Sequence, residues 1–316
     1  LPSVRSSNKK ALQNSFVYAG KKSMADLKKY LSKDGTIRIA AVISTDTVND
    51  AFRYFEASPL AKTLMARALT GAMLMASQMK ERLSTALHFI GEGPIQSIFA
   101  SAQYEGGAKV YCQNRNAELP EGVTQLGAGL GAGRLDVIQS RPFEREPLRG
   151  TVEIYTGEIG DDIAYYLNQS HQIPAIVSLS ALPAEKGVEI AGGYLIELMP
   201  GYTEETIQKL ENLQPLLEST AKKLQHGASP EDLIDIYLDH FEFEEVIHPY
   251  KPHYQCGCSL ERVERSLMLL GPGTLDEMIA EKETAEIACE FCGRKYELSI
   301  DELQKLRNGL DQTKVH

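Results

Sequence analysis

From Thr36 to Ile43 the apolar and polar positions alternate as in a β-strand, and Thr47 to Glu56 reads as a short helix after it. Ser58 followed by Pro59 makes an N-cap and first-turn pair for a longer helix reaching to about Lys80. That helix is apolar around most of its circumference, with Thr63, Arg67, Thr70, Ser77 and Glu81 forming only a narrow polar stripe. Such a pattern predicts a helix buried at a domain centre. Its methionines, Met65, Met73, Met75 and Met79, suit core filling better than an adaptable binding surface.

From Ser84 onward the period changes to two. Thr85 to Ile90, Ile95 to Ala102 and Ala108 to Gln113 read as strands. The turns Gly91-Glu92-Gly93-Pro94 and Glu105-Gly106-Gly107 join them into an antiparallel meander. Further strands are expected at Arg134 to Gln139, Thr151 to Tyr155, Ala175 to Ser180 and Gly193 to Leu198, with a helix around Asp161 to Gln172. Strands in runs with few intervening helices predict an α+β fold: a mixed N-terminal domain with an antiparallel sheet and a buried central helix.

The next stretch is helical but interrupted. Ile207, Leu210, Leu213, Leu217 and Leu224 fall near one face, yet Pro215 breaks the run. A second helix starts at Ser229-Pro230-Glu231-Asp232, and Leu233, Ile234, Tyr237, Leu238 and Phe241 give it an apolar side. Charge sharpens this picture. The whole chain carries a net −10, and Tyr202 to Tyr250 alone, with 3 basic against 11 acidic residues, accounts for −8 of it. Apolar faces with dense like charge make a segment that needs a docking surface to stay ordered. No segment has the concentrated positive field that nucleic acid requires. The longest clean apolar run, Ile39 to Ile43, is too short to cross a membrane. At 316 residues the chain has room for a large domain and smaller ones, and we divide it at 1–201, 202–250 and 251–316.

No secretory signal pattern is present, so the paired cysteines among the five are better read as metal ligands or redox centres than as a disulfide framework. Arg5, Lys9, Lys10, Lys21 and Lys22 give the first 25 residues a basic, acid-free character. This fits an exposed basic tail and the remnant of an organellar transit peptide equally well. The expected compartment is therefore the cytoplasm, with the mitochondrial matrix or plastid stroma as the alternative.

The strongest chemical signal is Cys256-Gly-Cys258, thirty residues of spacer, and Cys289-Glu-Phe-Cys292-Gly293. Four thiolates suit tetrahedral Zn2+, and the Cys-x-x-Cys-Gly half has the form of a zinc knuckle. Between the halves, Ser259 caps a helix carrying Leu260, Val263, Leu267 and Leu270, and Gly271-Pro272-Gly273 breaks it. Thr274-Leu275-Asp276-Glu277 is expected to form a capping box for a second helix. Glu286 to Cys289 and Lys295 to Leu298 read as a hairpin around the knuckle. A module with so small a core usually needs a metal to fold. His253 is expected in a surface role, and Cys112 as an inert thiol within a strand.

Enzyme signals are thin. The series Gly127-Ala-Gly129-Leu-Gly131-Ala-Gly133 fails the dinucleotide pattern and leads into a strand, where a phosphate cradle would open a helix. It reads as a flexible loop or strand entry. Asp161 and Asp162 suit the first turn of a helix. The residues leave three readings open: a conditional switch built on the cysteine site, an adaptor with a permanent structural zinc, and a thiol oxidoreductase using Cys289 and Cys292. The last lacks a thioredoxin-like βαβ setting.

The chain resembles the redox-regulated heat-shock chaperones of the thirty-three-kilodalton class. The likeness rests on Cys256-Gly-Cys258-Ser259 with Glu261-Arg262, and on Cys289-Glu290-Phe291-Cys292-Gly293 with Tyr296, Ile300 and Leu303. Gly91-Glu92-Gly93-Pro94, Ala191-Gly192-Gly193 and Met199-Pro200 add to it, over nearly the whole chain from about Ser15. The basic N-terminal extension and Cys112 depart from the family pattern. The resemblance implies a non-enzymatic holdase that needs no ATP and binds unfolding client proteins under oxidative stress. It implies one Zn2+ per reduced chain on Cys256, Cys258, Cys289 and Cys292. It also implies that oxidation joins Cys256 to Cys258 and Cys289 to Cys292, releases zinc, loosens the linker and favours a homodimer.

Overall fold

Two strands open the described chain, β1 (Ala25–Ser32) and β2 (Ile37–Ser44). The computed structural model describes residues 25–79, 83–141, 146–216, 218–281 and 284–312. The basic N-terminal residues, Glu81 and Leu217 of the sequence reading lie outside them. β2 is buried on both faces. Ala40 and Val42 enter one core while Ile37, Ile39, Ala41 and Ile43 enter another. Double-sided burial explains why the alternation of this strand gives way to an unbroken apolar run at Ile39 to Ile43.

α1 (Thr45–Phe52) and the long α2 (Pro59–Ser77) follow. Ser58 caps α2, its Oγ accepting from the Ala61 N–H at 3.2 Å, with Pro59 in the first turn. The helix ends at Ser77, a little before the expected Lys80. Its polar stripe is buried too, because Thr63, Thr70 and Ser77 donate back to the carbonyls of Pro59, Ala66 and Leu74. Arg67 pairs with Glu158. Met65, Met73 and Met75 are core residues.

The meander forms as β3 (Ser84–Gly91), β4 (Ser97–Gln103) and β5 (Gly107–Cys112), and β6 (Gly133–Ser140) and β7 (Leu148–Glu153) extend its sheet beyond β3. After α3 (Ile159–His171) come β8 (Ala175–Pro183) and β9 (Val188–Leu198), which join β1 and β2 in the order β1-β2-β9-β8. α2 packs between the two sheets, touching β3, β4 and β5 on one side and β2, β8 and β9 on the other. Arg38 and Glu197, opposite each other on β2 and β9, form a two-pronged ion pair at 2.6 and 2.7 Å. The glycine series is no free loop. Gly93 lies so close to the Gly129 and Leu130 backbone that a Cβ would sit 2.5 Å from the Gly129 oxygen.

The acidic stretch folds as four short helices: α4 (Glu204–Leu213), α5 (Thr220–Gln225), α6 (Pro230–Leu233) and α7 (Asp235–His240). α4 stops just before Pro215. Ser229 caps α6 in a capping box with Asp232. The apolar sides of these helices cover the outer face of the sheet containing β2. Leu210, Leu213, Leu224, Leu233, Ile234 and Tyr237 are buried against Ile37, Ile39, Tyr194 and Ile196. The cover that this segment needs thus comes from the N-terminal sheet. β10 (Phe243–Glu245) then pairs antiparallel with β1, and β11 (His253–Tyr254) runs parallel to β5 at the edge of the second sheet. Neither these strands nor β1 was anticipated, since their residues lack a clear period.

The C-terminal part holds α8 (Leu260–Leu269), α9 (Pro272–Ala280), the hairpin β12 (Ala285–Ala288) and β13 (Lys295–Leu298), and α10 (Ile300–Gln312). The Thr274 capping box does not form. α9 starts two residues earlier at Pro272, so Thr274 is already helical and its hydroxyl donates to the Leu270 carbonyl at 3.4 Å. Pro272 suits a first turn, which moves the start forward. Among the described residues the buried apolar centre of this part is only Leu267, Leu275, Leu298 and Leu303.

Leu233 is 1% exposed where α6 meets the sheet. Leu233→Ala should cost about 2–5 kcal/mol if the site does not collapse, read as a lower midpoint in denaturant unfolding.

Candidate metal centre

The C-terminal cysteines come together from two local devices. Cys289 and Cys292 sit in the turn between β12 and β13, closed by the Gly293 N–H on the Cys289 carbonyl at 2.8 Å and the Cys289 N–H on the Arg294 carbonyl at 2.9 Å. Gly293 has φ +63, the left-handed region in which a glycine escapes Cβ strain. Cys256 and Cys258 lie in the extended stretch between β11 and α8. Ser259 Oγ caps α8 by accepting from the Arg262 N–H at 3.3 Å. The Arg262 side chain turns back to donate to the Gly257 carbonyl at 2.6 Å, which fixes the Cys-x-Cys segment.

All four Sγ atoms lie within 4.8 Å of one another. The Cys256 to Cys289 sulfurs are 3.6 Å apart and the Cys258 to Cys292 sulfurs 3.4 Å. A tetrahedron with metal–sulfur bonds of about 2.3 Å has sulfur–sulfur edges of roughly 3.8 Å. The cluster therefore has the donor set and approximate size of a four-thiolate site, with the thiols unjoined. Each cysteine is half-buried. Burial pushes the Cys256 and Cys292 thiols up. At Cys258 burial acts the same way but is outweighed by hydrogen bonds from Tyr296 and the other thiols, which bring it down to about 7. Tyr296 Oη donates to Cys258 Sγ at 3.1 Å. One sulfur thus carries negative charge first, stabilised by its neighbours, and thiolate is the form that binds metal or attacks an oxidant.

The centre is tied to the rest of the chain through the two residues between Cys289 and Cys292. The Phe291 ring meets Tyr111 at 5.2 Å and Phe99 at 6.0 Å, and Lys109 Nζ is 4.4 Å from its centre. Glu290 Oε2 accepts from Arg115 at 2.9 Å. Tyr254 of β11 donates from its hydroxyl to the Phe291 carbonyl at 2.7 Å. Sequence reasoning assigned these residues no role, because the contacts join positions more than 170 apart along the chain for Arg115 and Glu290. The sole hint was an aromatic residue inside a cysteine turn.

The other candidates stand apart. Cys112 is 1% exposed on β5, and burial pushes its thiol up to about 11, as expected of an inert thiol. His253 is exposed with Nδ1 3.1 Å from the Lys251 carbonyl oxygen and is not among the clustered ligands. Asp162, in the first turn of α3, is buried and accepts the N–H groups of Tyr155 and Thr156 at 2.7 and 3.0 Å, a structural task. Among the described residues no helix is long and apolar enough to cross a membrane.

An α+β body with a four-thiol centre shared by a C-terminal hairpin and the stretch before α8 is the class of protein that fold and site define. The family model described as Hsp33 protein matches residues 26–299. The 33 kDa chaperonin of Clostridioides difficile is 36% identical over 282 residues, covering 87% of this chain and 96% of its own length. That of Caldanaerobacter subterraneus subsp. tengcongensis is 38% identical over 282 residues, covering 87% and 94%. The crystal structure of the 33 kDa chaperonin from Thermotoga maritima superposes with a TM-score of 0.80 at 27% identity, over 92% of this chain and all of that one. The chain belongs to the Hsp33 family, and its curated relatives are named as chaperonins rather than as enzymes.

Elemental analysis should find one metal ion per reduced chain. Cys289→Ser should lose it, Cys112→Ser should keep it, and Tyr296→Phe should keep the stoichiometry with affinity weakened about tenfold.

Proposed function

We propose that this chain is a redox-regulated, ATP-independent holdase, divided into a folding domain over 1–201, an acidic linker over 202–250 and a zinc-binding switch over 251–316. Cys256, Cys258, Cys289 and Cys292 hold one Zn2+ in the reduced state. The observation that carries this reading is the cluster of four half-buried thiols at the edge of a module with a very small apolar core. A bound structural zinc supplies four bonds and on the order of 10–16 kcal/mol of apparent folding energy, more than such a core replaces.

Half-buried thiolates remain within reach of peroxide. We assign the disulfides to Cys256–Cys258 and Cys289–Cys292. Each thiolate pair gives up two electrons to one peroxide, which takes two protons from solvent and leaves as two waters while the S–S bond forms and the zinc–sulfur bonds break. Joined sulfurs no longer offer four thiolates, so the metal affinity of the module collapses and its order goes with it. The effect reaches the linker along the chain. The stretch 246–255 connects β10 to Cys256, and within it His248 and Tyr250 pack on Tyr104 at 4.8 and 5.9 Å. Once that anchor is loose, the net −8 of the linker opposes its docking on the sheet. Undocking uncovers leucines and aromatics for unfolded client proteins, while the acids keep the complex soluble. The oxidised form is assigned as a homodimer. Its bacterial relatives support a cytoplasmic setting.

Peroxide treatment should release the zinc, yield the two within-pair disulfides on peptide mapping, and turn on suppression of client aggregation without ATP. Zinc retained with aggregation suppression unchanged would instead favour a permanent structural site in an adaptor protein. Hydrogen exchange should accelerate over 202–250 and in the zinc module on oxidation, with β3, β4 and the core of α2 still protected. An equally protected linker would make it a rigid spacer and refute the hinge.

A further inference from the structure

The cysteine module covers one edge of the second sheet, and it does so by two devices at once. β11 lies parallel to β5, with the His253 N–H on the Gly106 carbonyl at 2.9 Å and the Gln255 N–H on the Ala108 carbonyl at 2.8 Å. Since Ala108 points its carbonyl at β11, the period of two turns the backbone groups of Ala108 and Val110 toward this edge. Phe291 then seals the outer face beside it, against Tyr111 and Phe99. Those two are cross-strand partners on β5 and β4, and Phe99 in turn is the partner of His88 on β3. His88, Phe99, Tyr111 and Phe291 therefore form one aromatic row across the outer face, whose last member is supplied by the switch itself.

The approach at this edge is unusually close. A Cβ on Gly106, where φ is +88, would sit 2.3 Å from the Lys251 oxygen, and one on Gly107 would sit 2.1 Å from Gln255 Oε1. The edge thus already accommodates an added strand. Yet the pairing is short, two residues of β11 on two of β5, and its cover is polar at the rim through Arg115 and Glu290. A surface ion pair of this kind contributes only about 0–1 kcal/mol. The hold on the edge is shared by Tyr254, which packs on the main core and 5.5 Å from the Tyr54 ring, and by Phe291 on the cysteine turn.

We propose that, once the cysteine module is unfolded, the β5 edge with the His88–Phe99–Tyr111 row is a docking site for one extended, aromatic-bearing segment of an unfolded polypeptide, which adds as a strand in place of β11 and Phe291. The proposal deepens the holdase reading and rests on it. Main-chain pairing to Ala108 and Val110 is indifferent to client sequence, and the row gives an aromatic side chain the seat that Phe291 vacates. An unfolded chain is the partner with both features: free backbone groups and exposed aromatics. Folded proteins present neither as freely.

The test uses the full chain in three forms: reduced and zinc-loaded, stripped of zinc by a chelator under reductant, and peroxide-oxidised. The probe is a labelled ten-residue peptide of alternating valine and threonine with one central phenylalanine. Its control is the same peptide N-methylated on alternate residues of one edge. The stripped form should bind the probe at least about tenfold more tightly than the loaded form, and the N-methylated peptide about tenfold less tightly than the probe, as expected for several lost hydrogen bonds. Binding should slow amide exchange at Ala108 and Val110. Tyr111→Ser, on the outer face, should keep the zinc stoichiometry of the loaded form and lose about tenfold in probe affinity when stripped.

Equal binding of both peptides, or binding that leaves Ala108 and Val110 unprotected, overturns the proposal. So does protection that appears without peptide and rises with protein concentration, which would give the edge to a second copy of this chain. The stripped form needs no oxidation, so the two readings fail separately. Zinc retained under peroxide while the stripped protein binds the probe would sink the redox switch and leave the edge standing. Zinc release with aggregation suppression but no probe at β5 would do the reverse.

Discussion

Four sulfurs gathered within 4.8 Å hold together as hydrogen-bonded thiols only while most of them keep their protons. As thiolates they repel one another, and the module that carries them buries little more than Leu267, Leu275, Leu298 and Leu303. Four buried leucines with a partly buried rim are a small core against the entropy of ordering some fifty residues. On the proposed reading, the order from Cys256 to α10 depends on the cysteine centre, and with it the Phe291 seat and the β11 edge that this part of the chain covers.

The larger body has no such dependence. α2 is buried between two sheets, with its stripe hydroxyls bonded to its own carbonyls and Arg67 paired with Glu158. β2 and β9 bury side chains on both faces and are locked to each other by Arg38 and Glu197. Two further elements rest on this body. The acidic helices cover the outer face of one sheet, and the cysteine module covers the edge of the other. The two are connected by the short stretch after β10. On the proposed reading, client surfaces open on both sheets, beneath the acidic helices and at the β5 edge, while the core stays folded.

Much of this was legible along the chain. Wherever a segment buries one face, the period of its side chains reports it, which is why the meander β3–β5, the strand β6 and the helix α3 fell close to their expected places. Caps at Ser58, Ser229 and Ser259 were readable because a cap is a contact between near neighbours. The Thr274 cap was misplaced because Pro272 is an equally good start and the choice depends on how α9 packs. The four cysteines announced a common site by residue type and spacing alone, and Cys112 was set apart by lying in a strand.

What the sequence determined by itself was therefore local: strand and helix periods, helix starts, the apolar character of α2, the concentration of acid in one segment and the chemistry of the thiols. Only the tertiary structure decided which surfaces meet. It placed β1, β10 and β11, whose short or charged stretches carry no period of their own and become strands because a neighbour's edge pairs with them. It put the acidic helices on the N-terminal sheet rather than on the cysteine module. It also seated Phe291 between Tyr111 and Phe99. Contacts of that kind join residues far apart in sequence, and no pattern along the chain encodes them, because burial of an apolar surface depends on its area and not on which partner covers it.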